Sequence, residues 1–183
     1  MQKTVNVLSD TGMTVVEDRP EGIEQTFGIF NSLLSADGGT AVETLLRMVG
    51  TIEMHPWTKA LLGFCRGVTM TTAEFGGLML QWERFCSSML SFMEKHDEII
   101  CPVCAFPALH HEVSLDLKKI PAFSYTMTYN LTGWLGVVVR AGTSPEGLPI
   151  GVQVMAHPWR EDVVLTVAQH IETVSRGWQC PSI

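Results

Sequence analysis

Phe75, Leu78, Trp82, Phe85, Met89 and Phe92 recur at spacings that alternate three and four residues, and this stripe constrains the chain more than any other feature of it. Only a helix of about five turns puts all of them on one face, and a helix with one apolar face needs a second layer to cover it. Thr72 is the expected N-cap, with Thr71 as the alternative, and Glu74 then lies in the first turn, where its charge suits the helix dipole. A Met and aromatic stripe of this kind is read as core.

The second constraint lies near the C-terminus. The run Gly136 to Ala141 and the run Leu148 to Ala156 are rich in Val and Ile, and a segment holding Gly142, Pro145 and Gly147 separates them. Two such runs around a short turn-rich segment predict an antiparallel hairpin. A helix is expected from about Arg160, with Glu161 and Asp162 in its first turn and Val163, Val164, Val167, Ala168 and Ile171 facing inward. Upstream of the hairpin, Glu98 to Val103 reads as a short buried strand that ends at a proline-marked loop.

The remaining segments are read from periodicity and breakers. Residues around Val5, Val7 and Leu8 read as a helix end stopped at Gly12, followed by an extended run from Met13 to Glu17, so the chain opens partway through a helix-to-strand unit. Ile23, Phe27, Phe30, Leu33 and Leu34 predict a helix from Glu21 to about Ala36, and a shorter one is expected from Ala41 to Met48. His55 before Pro56 should be extended, with one or two helical turns between Trp57 and Phe64. Residues 105–121 read as a long loop, a length that in a compact domain tends to accompany function or disorder.

With 183 residues and 46% hydrophobic content, the chain suits one domain with a real core. A net charge of −7 disfavours a nucleic-acid partner, because a phosphate backbone demands a dense basic surface. No apolar run approaches the roughly 20 residues of a membrane-spanning helix, and the first residues carry no signal-peptide core, so a cytoplasmic location is expected. Cys65, Cys86, Cys101, Cys104 and Cys180 form an odd, scattered set, the pattern of reduced thiols.

The residues themselves offer few routes to chemistry. Cys101 and Cys104 have the spacing of a redox pair or half a zinc site, with His110 and His111 as further ligands, but no helix begins there and no second pair completes a tetrahedron. The two cysteines are read as small apolar fillers at a strand end. Gly-x-Ser-x-Gly, a Gly/Ser-rich oxyanion loop and Ser-x-x-Lys are all absent, and His157 has no evident nucleophile to serve as base. Phosphate-binding glycine patterns are absent too, so no cofactor is implied.

The stretch from Ser124 to Glu172 carries a resemblance. Asn130-Leu-Thr-Gly133, then Gly147-Leu-Pro-Ile-Gly-Val-Gln153 within a strand, then His157-Pro-Trp-Arg-Glu-Asp162 and an amphipathic helix, resemble the C-terminal block of the amidase signature family. Asp97-Glu-Ile-Ile-Cys-Pro102 is similar to that family's Asp-x-x-Leu-x-Pro strand, and Gly12 to Glu17 to its Gly-x-x-Val-x-Glu element. The phrase around Trp159 leans toward members that hydrolyse lipid or aryl amides. The resemblance implies an α/β fold, with a mixed sheet and a C-terminal antiparallel hairpin flanked by helices, forming a single partial domain over residues 1–183.

It also implies amide hydrolysis by a Ser–cis-Ser–Lys triad that the family keeps in its N-terminal half, upstream of the Gly12 element. None of those catalytic residues transfers to this chain. One side of the substrate pocket does: the loop after the Asp-x-x-Leu-x-Pro strand and the Asn-x-Thr-Gly turn make Cys101, Val103, Tyr129, Asn130, Thr132 and Trp134 candidate pocket or pocket-support positions. For Asn130 and Thr132 a turn that bonds its own backbone is an equal alternative. Leu135-Gly136 departs from the proline and small residue of many relatives and leaves the pocket lip uncertain. A small-molecule amide is then the implied ligand, once the missing half is supplied. The other reading is a non-catalytic interaction protein, as a homodimer or paired with a partner half, because a half-sheet exposes unpaired strand edges.

Overall fold

In a computed structural model, residues 1–111, 113 and 116–180 are described. The long apolar stripe forms helix α5, Thr72–Met93, with Leu78, Phe85, Met89 and Met93 buried. Its N-cap is Thr71 and not Thr72: Thr71 Oγ1 accepts from Glu74 N at 3.2 Å while Glu74 Oε2 accepts from Thr71 N at 2.7 Å. That reciprocal capping box satisfies two groups at once and decides between adjacent threonines of equal intrinsic preference.

Before α5 lie α1, Gln2–Asp10, a 3-10 turn at Ile23–Gln25, then α2, Thr26–Ser35, α3, Thr40–Met48, and α4, Pro56–Cys65. The helix expected from Glu21 thus starts at Thr26, and the one or two turns expected near Trp57 are a full ten-residue helix. Pro56 at its first position needs no amide partner, and His55 Nδ1 accepts from Trp57 N at 3.1 Å as the cap. Met13 to Glu17 joins no sheet. None of the described strands lies beside it to complete a ladder, and Met13 instead packs into the core beneath α1.

The sheet comprises β1, Glu98–Pro102, β2, Gly136–Thr143, and β3, Pro149–Ala156, in the order β1-β3-β2. The predicted hairpin is β2 and β3, joined through Ser144, whose amide donates to Leu148 O at 2.8 Å. Both ladders are antiparallel, so among the described residues the sheet is not mixed. β1 and β2 do run the same way, but β3 separates them, and a mixed sheet needs a parallel neighbour.

Because β3 is central, its residues from Val152 to Ala156 are buried on both faces. Val152, Val154 and Ala156 pack with Leu8 and with Val164, Val167 and Ile171 of α7, Glu161–Ser175. On the other face Met155 joins Ile29, Phe85, Met89, Tyr129, Leu131 and Trp134. This second layer is made by α2, α5 and α6, Ser124–Thr132. Met155 Sδ lies where a Cβ on Gly136 would stand, so the departure at Gly136 is a close-approach site rather than a loosened strand. Among the described residues no helix is long and apolar enough to cross a membrane.

Candidate functional site

The Asn-x-Thr-Gly element is not a free turn. It is the last turn of α6 closed by Gly133 in the left-handed conformation, φ 67°, whose amide donates to Tyr129 O at 2.8 Å. The end of α6 leaves carbonyls without helical partners. Trp82 Nε1 of α5 donates to one of them, Leu131 O, at 2.8 Å, and this bond pins α6 to the long helix.

That placement turns Tyr129 into the core, where it meets the end of β1. Tyr129 Oη and Cys101 Sγ are 3.4 Å apart, and the Tyr129 and Trp134 rings lie 6.3 Å apart at 35°. Gln153 completes the cluster from β3. It is 4% exposed, and its Nε2 lies 3.0 Å from Pro102 O, 3.0 Å from Tyr125 O and 3.3 Å from Cys101 Sγ. An amide nitrogen has two protons, so the two carbonyls take them and the thiol is the weaker third contact.

Electrostatically the cluster is neutral. Burial pushes the Cys101 thiol above its ordinary value, against the smaller effect of its bonds to Tyr129 and Gln153. Burial, and then the neighbouring Cys101, raises the Tyr129 phenol far above its usual range. Neither group is a nucleophile or a base near neutral pH. Cys101 and Cys104 are both free thiols, and Cys104 lines a cleft of which Cys101 is not part.

Of the six residues expected at the site, Cys101, Tyr129 and Trp134 come together. Trp134 and Tyr129 are exposed to only 8% each, so their rings lie within the core. Val103 is half-buried just past β1. Thr132 Oγ1 donates back to Tyr129 O at 3.4 Å, the self-bonding alternative, and Asn130 is exposed. His157 is exposed, and its Nδ1 is 3.2 Å from Pro158 O. Gln153 is absent from the set expected from the sequence, although a glutamine inside a run of buried apolar residues on a central strand is itself a signal.

The loop after β1 forms a cleft of about 590 Å³ with the start of α4. Its apolar lining includes Pro56, Trp57, Phe106, Leu109 and Phe123, and its polar lining His55, Cys104, His110 and His111. The cleft is held in shape locally. Ala105 N donates to Ala122 O at 3.1 Å, Phe106 and Phe123 meet edge to face at 5.9 Å, and Lys119 Nζ lies 5.8 Å from the Phe106 ring centre. Of the segment 105–121 read as a long loop, the part from Leu117 belongs to a 3-10 helix, Leu117–Phe123, and residues 112, 114 and 115 lie outside the described residues; the approach of α4 to this loop was not legible in the sequence.

Known proteins resemble this chain in sequence and in fold. The Amidase family profile matches residues 1–165. Fatty acid amide hydrolase 1 of Caenorhabditis elegans is 24% identical over 222 residues, which cover 93% of this chain and 38% of that protein. A glutamyl-tRNA(Gln) amidotransferase polypeptide of Acidobacterium capsulatum is 38% identical over 89 residues, 48% of this chain and 19% of the relative. The structure of 6-aminohexanoate cyclic dimer hydrolase complexed with substrate superposes with a TM-score of 0.73 at 19% identity, covering 95% of this chain and 40% of that one. The chain thus spans well under half the length of these relatives and, by its sequence profile and its fold, belongs to the amidase family.

Proposed function

We propose that this chain is the C-terminal portion of an amidase-signature hydrolase and supplies one wall of the pocket for an amide substrate, but not the Ser–Ser–Lys triad. The observation that carries the reading is the buried Cys101–Tyr129–Gln153 cluster. It locks the end of β1, the start of α6 and the central strand into one rigid surface from which the cleft-forming loop departs. Rigid support behind a loop is what a substrate wall needs, because misplacement of a bound group by about 1 Å is costly in rate.

The site's titratable core, Cys101 and Tyr129, is neutral and offers neither nucleophile nor base near neutral pH. The acyl-transfer step therefore belongs to residues outside this segment, with the chain contributing orientation and exclusion of water. The partner is a segment bearing the triad, and the ligand is a small-molecule amide.

The test is hydrolysis of a fatty-acid anilide and an aryl amide by the purified chain, alone and mixed with an amidase N-terminal half that carries the triad. The reading expects no turnover alone and turnover in the mixture. Turnover that rises linearly with the concentration of the chain alone, and survives further purification, would sink it.

A further inference from the structure

The cleft between the loop after β1 and α4 has a composition that the hydrolytic reading does not use. Its body is apolar, yet three imidazoles line it, and no described lining residue is acidic. The groups that face or flank it can be named element by element. From α4, His55 lines the cleft, and its Nδ1 is committed to Trp57 N, which leaves the proton on Nε2 as a donor at any pH where the cap holds. Glu53 and Lys59, on either side of His55 in the chain, are exposed and do not line it.

From the loop come Cys104, His110 and His111, both histidines being exposed at the rim. From the 3-10 helix Leu117–Phe123, Lys119 lies against Phe106, while Asp116 accepts from Lys118 N at 3.0 Å and is occupied as that helix's cap. Among the described residues, every polar side chain that lines the cleft, other than the Cys104 thiol, can donate a proton to an anion, and Lys119 beside Phe106 adds a positive charge.

We propose that the cleft binds small ligands in which an aromatic or alkyl body ends in an anionic group. The body lies on Trp57, Phe106 and Phe123, and the anion meets the imidazoles of His110 and His111. This names a ligand class for the cleft assigned above to the pocket wall, and it rests on that assignment. Two aromatic edges and an indole bury a flat or linear apolar group, whereas a neutral amide end would leave the imidazoles without an acceptor of full charge.

Calorimetric titration of the 183-residue chain with phenylpropanesulfonate, anionic at every pH used, and with the neutral phenylpropanesulfonamide tests this. The anion should bind roughly tenfold more tightly than the sulfonamide. Replacing both, His110→Gln with His111→Gln, should remove the preference and leave sulfonamide affinity within about twofold, with an unchanged far-UV circular dichroism spectrum as the folding check. Trp57→Ala should weaken both ligands together.

Equal affinity for the two probes, a preference that survives the double replacement, or binding of neither probe would overturn the inference. The outcomes separate from those of the hydrolytic reading. A chain that restores amide hydrolysis with the triad half, yet shows no anion preference, refutes the ligand class alone. An anion preference without restored hydrolysis refutes the hydrolytic assignment.

Discussion

Replacing Gln153 by leucine tests how much the wall depends on one buried amide. Leucine is close in size and keeps the strand, so the change removes hydrogen bonds with little change in volume. Two are lost to carbonyls, Pro102 O and Tyr125 O, each 3.0 Å from Nε2. A buried hydrogen bond contributes about 1 kcal/mol net, and stranded buried acceptors add on the order of 1 kcal/mol more. Part of that is offset by the apolar gain of leucine, about 1 kcal/mol, leaving about 2 kcal/mol.

For a domain of this size that corresponds to a fall in Tm of about 4–8 °C. Thermal unfolding followed by circular dichroism at neutral pH measures it, with Asn130→Ala as the exposed control, expected to stay within about 0.5 kcal/mol. Gln153→Glu should be worse than leucine, since a carboxylate would face two carbonyl oxygens. A Gln153→Leu melting curve that overlays the wild type would refute the claim that this amide ties β1, β3 and α6 together.

Glu98 Oε2 is buried with no partner among the described residues, and burial, with Asp97 next in importance, raises the Glu98 carboxyl to about 7. The folded state therefore holds its proton more tightly than the unfolded one, so stability from this group is full below pH 4.5 and is lost as pH rises through about 7. Glu98→Gln should flatten that slope and stabilise the chain at pH about 8 by on the order of 1 kcal/mol, allowing for partial solvent screening; a urea midpoint with the same pH slope as wild type would contradict it. Thr71→Ala removes the Oγ1 half of the α5 capping box, leaving the bond from the backbone amide of residue 71 to Glu74 Oε2, and should cost about 1 kcal/mol in urea unfolding, whereas Thr72→Ala should cost much less. Thiol labelling under native conditions should modify the exposed Cys180 quickly and Cys101 slowly, its thiol being buried and raised in pKa; comparable rates would show that the wall opens freely.

Periodicity carried most of the elements. The stripe on α5, the hairpin and the apolar face of α7 are local patterns with a single geometric solution each, so they were readable in one dimension. The elements misread were those decided by neighbours. The run from Met13 to Glu17 has strand-like residues but no described strand beside it, and the Asn-x-Thr-Gly segment looks like a turn until Trp82 reaches Leu131 O and fixes it as a helix end.

The candidate site was half legible for the same reason. Cys101, Tyr129 and Trp134 could be named from a resemblance in residue order, but their contact spans 28 residues of sequence between Cys101 and Tyr129, and Gln153 enters from 52 residues beyond Cys101. By itself the sequence determined which faces must be buried, where α5, α7 and the hairpin begin and end to within a few residues, and which family the residue order matches. Only the tertiary structure decided that a glutamine joins three elements, that α4 closes a cleft over the loop after β1, and which threonine caps α5. Burial patterns are periodic along the chain, whereas hydrogen-bond partners and cavity walls depend on which distant segments are packed together.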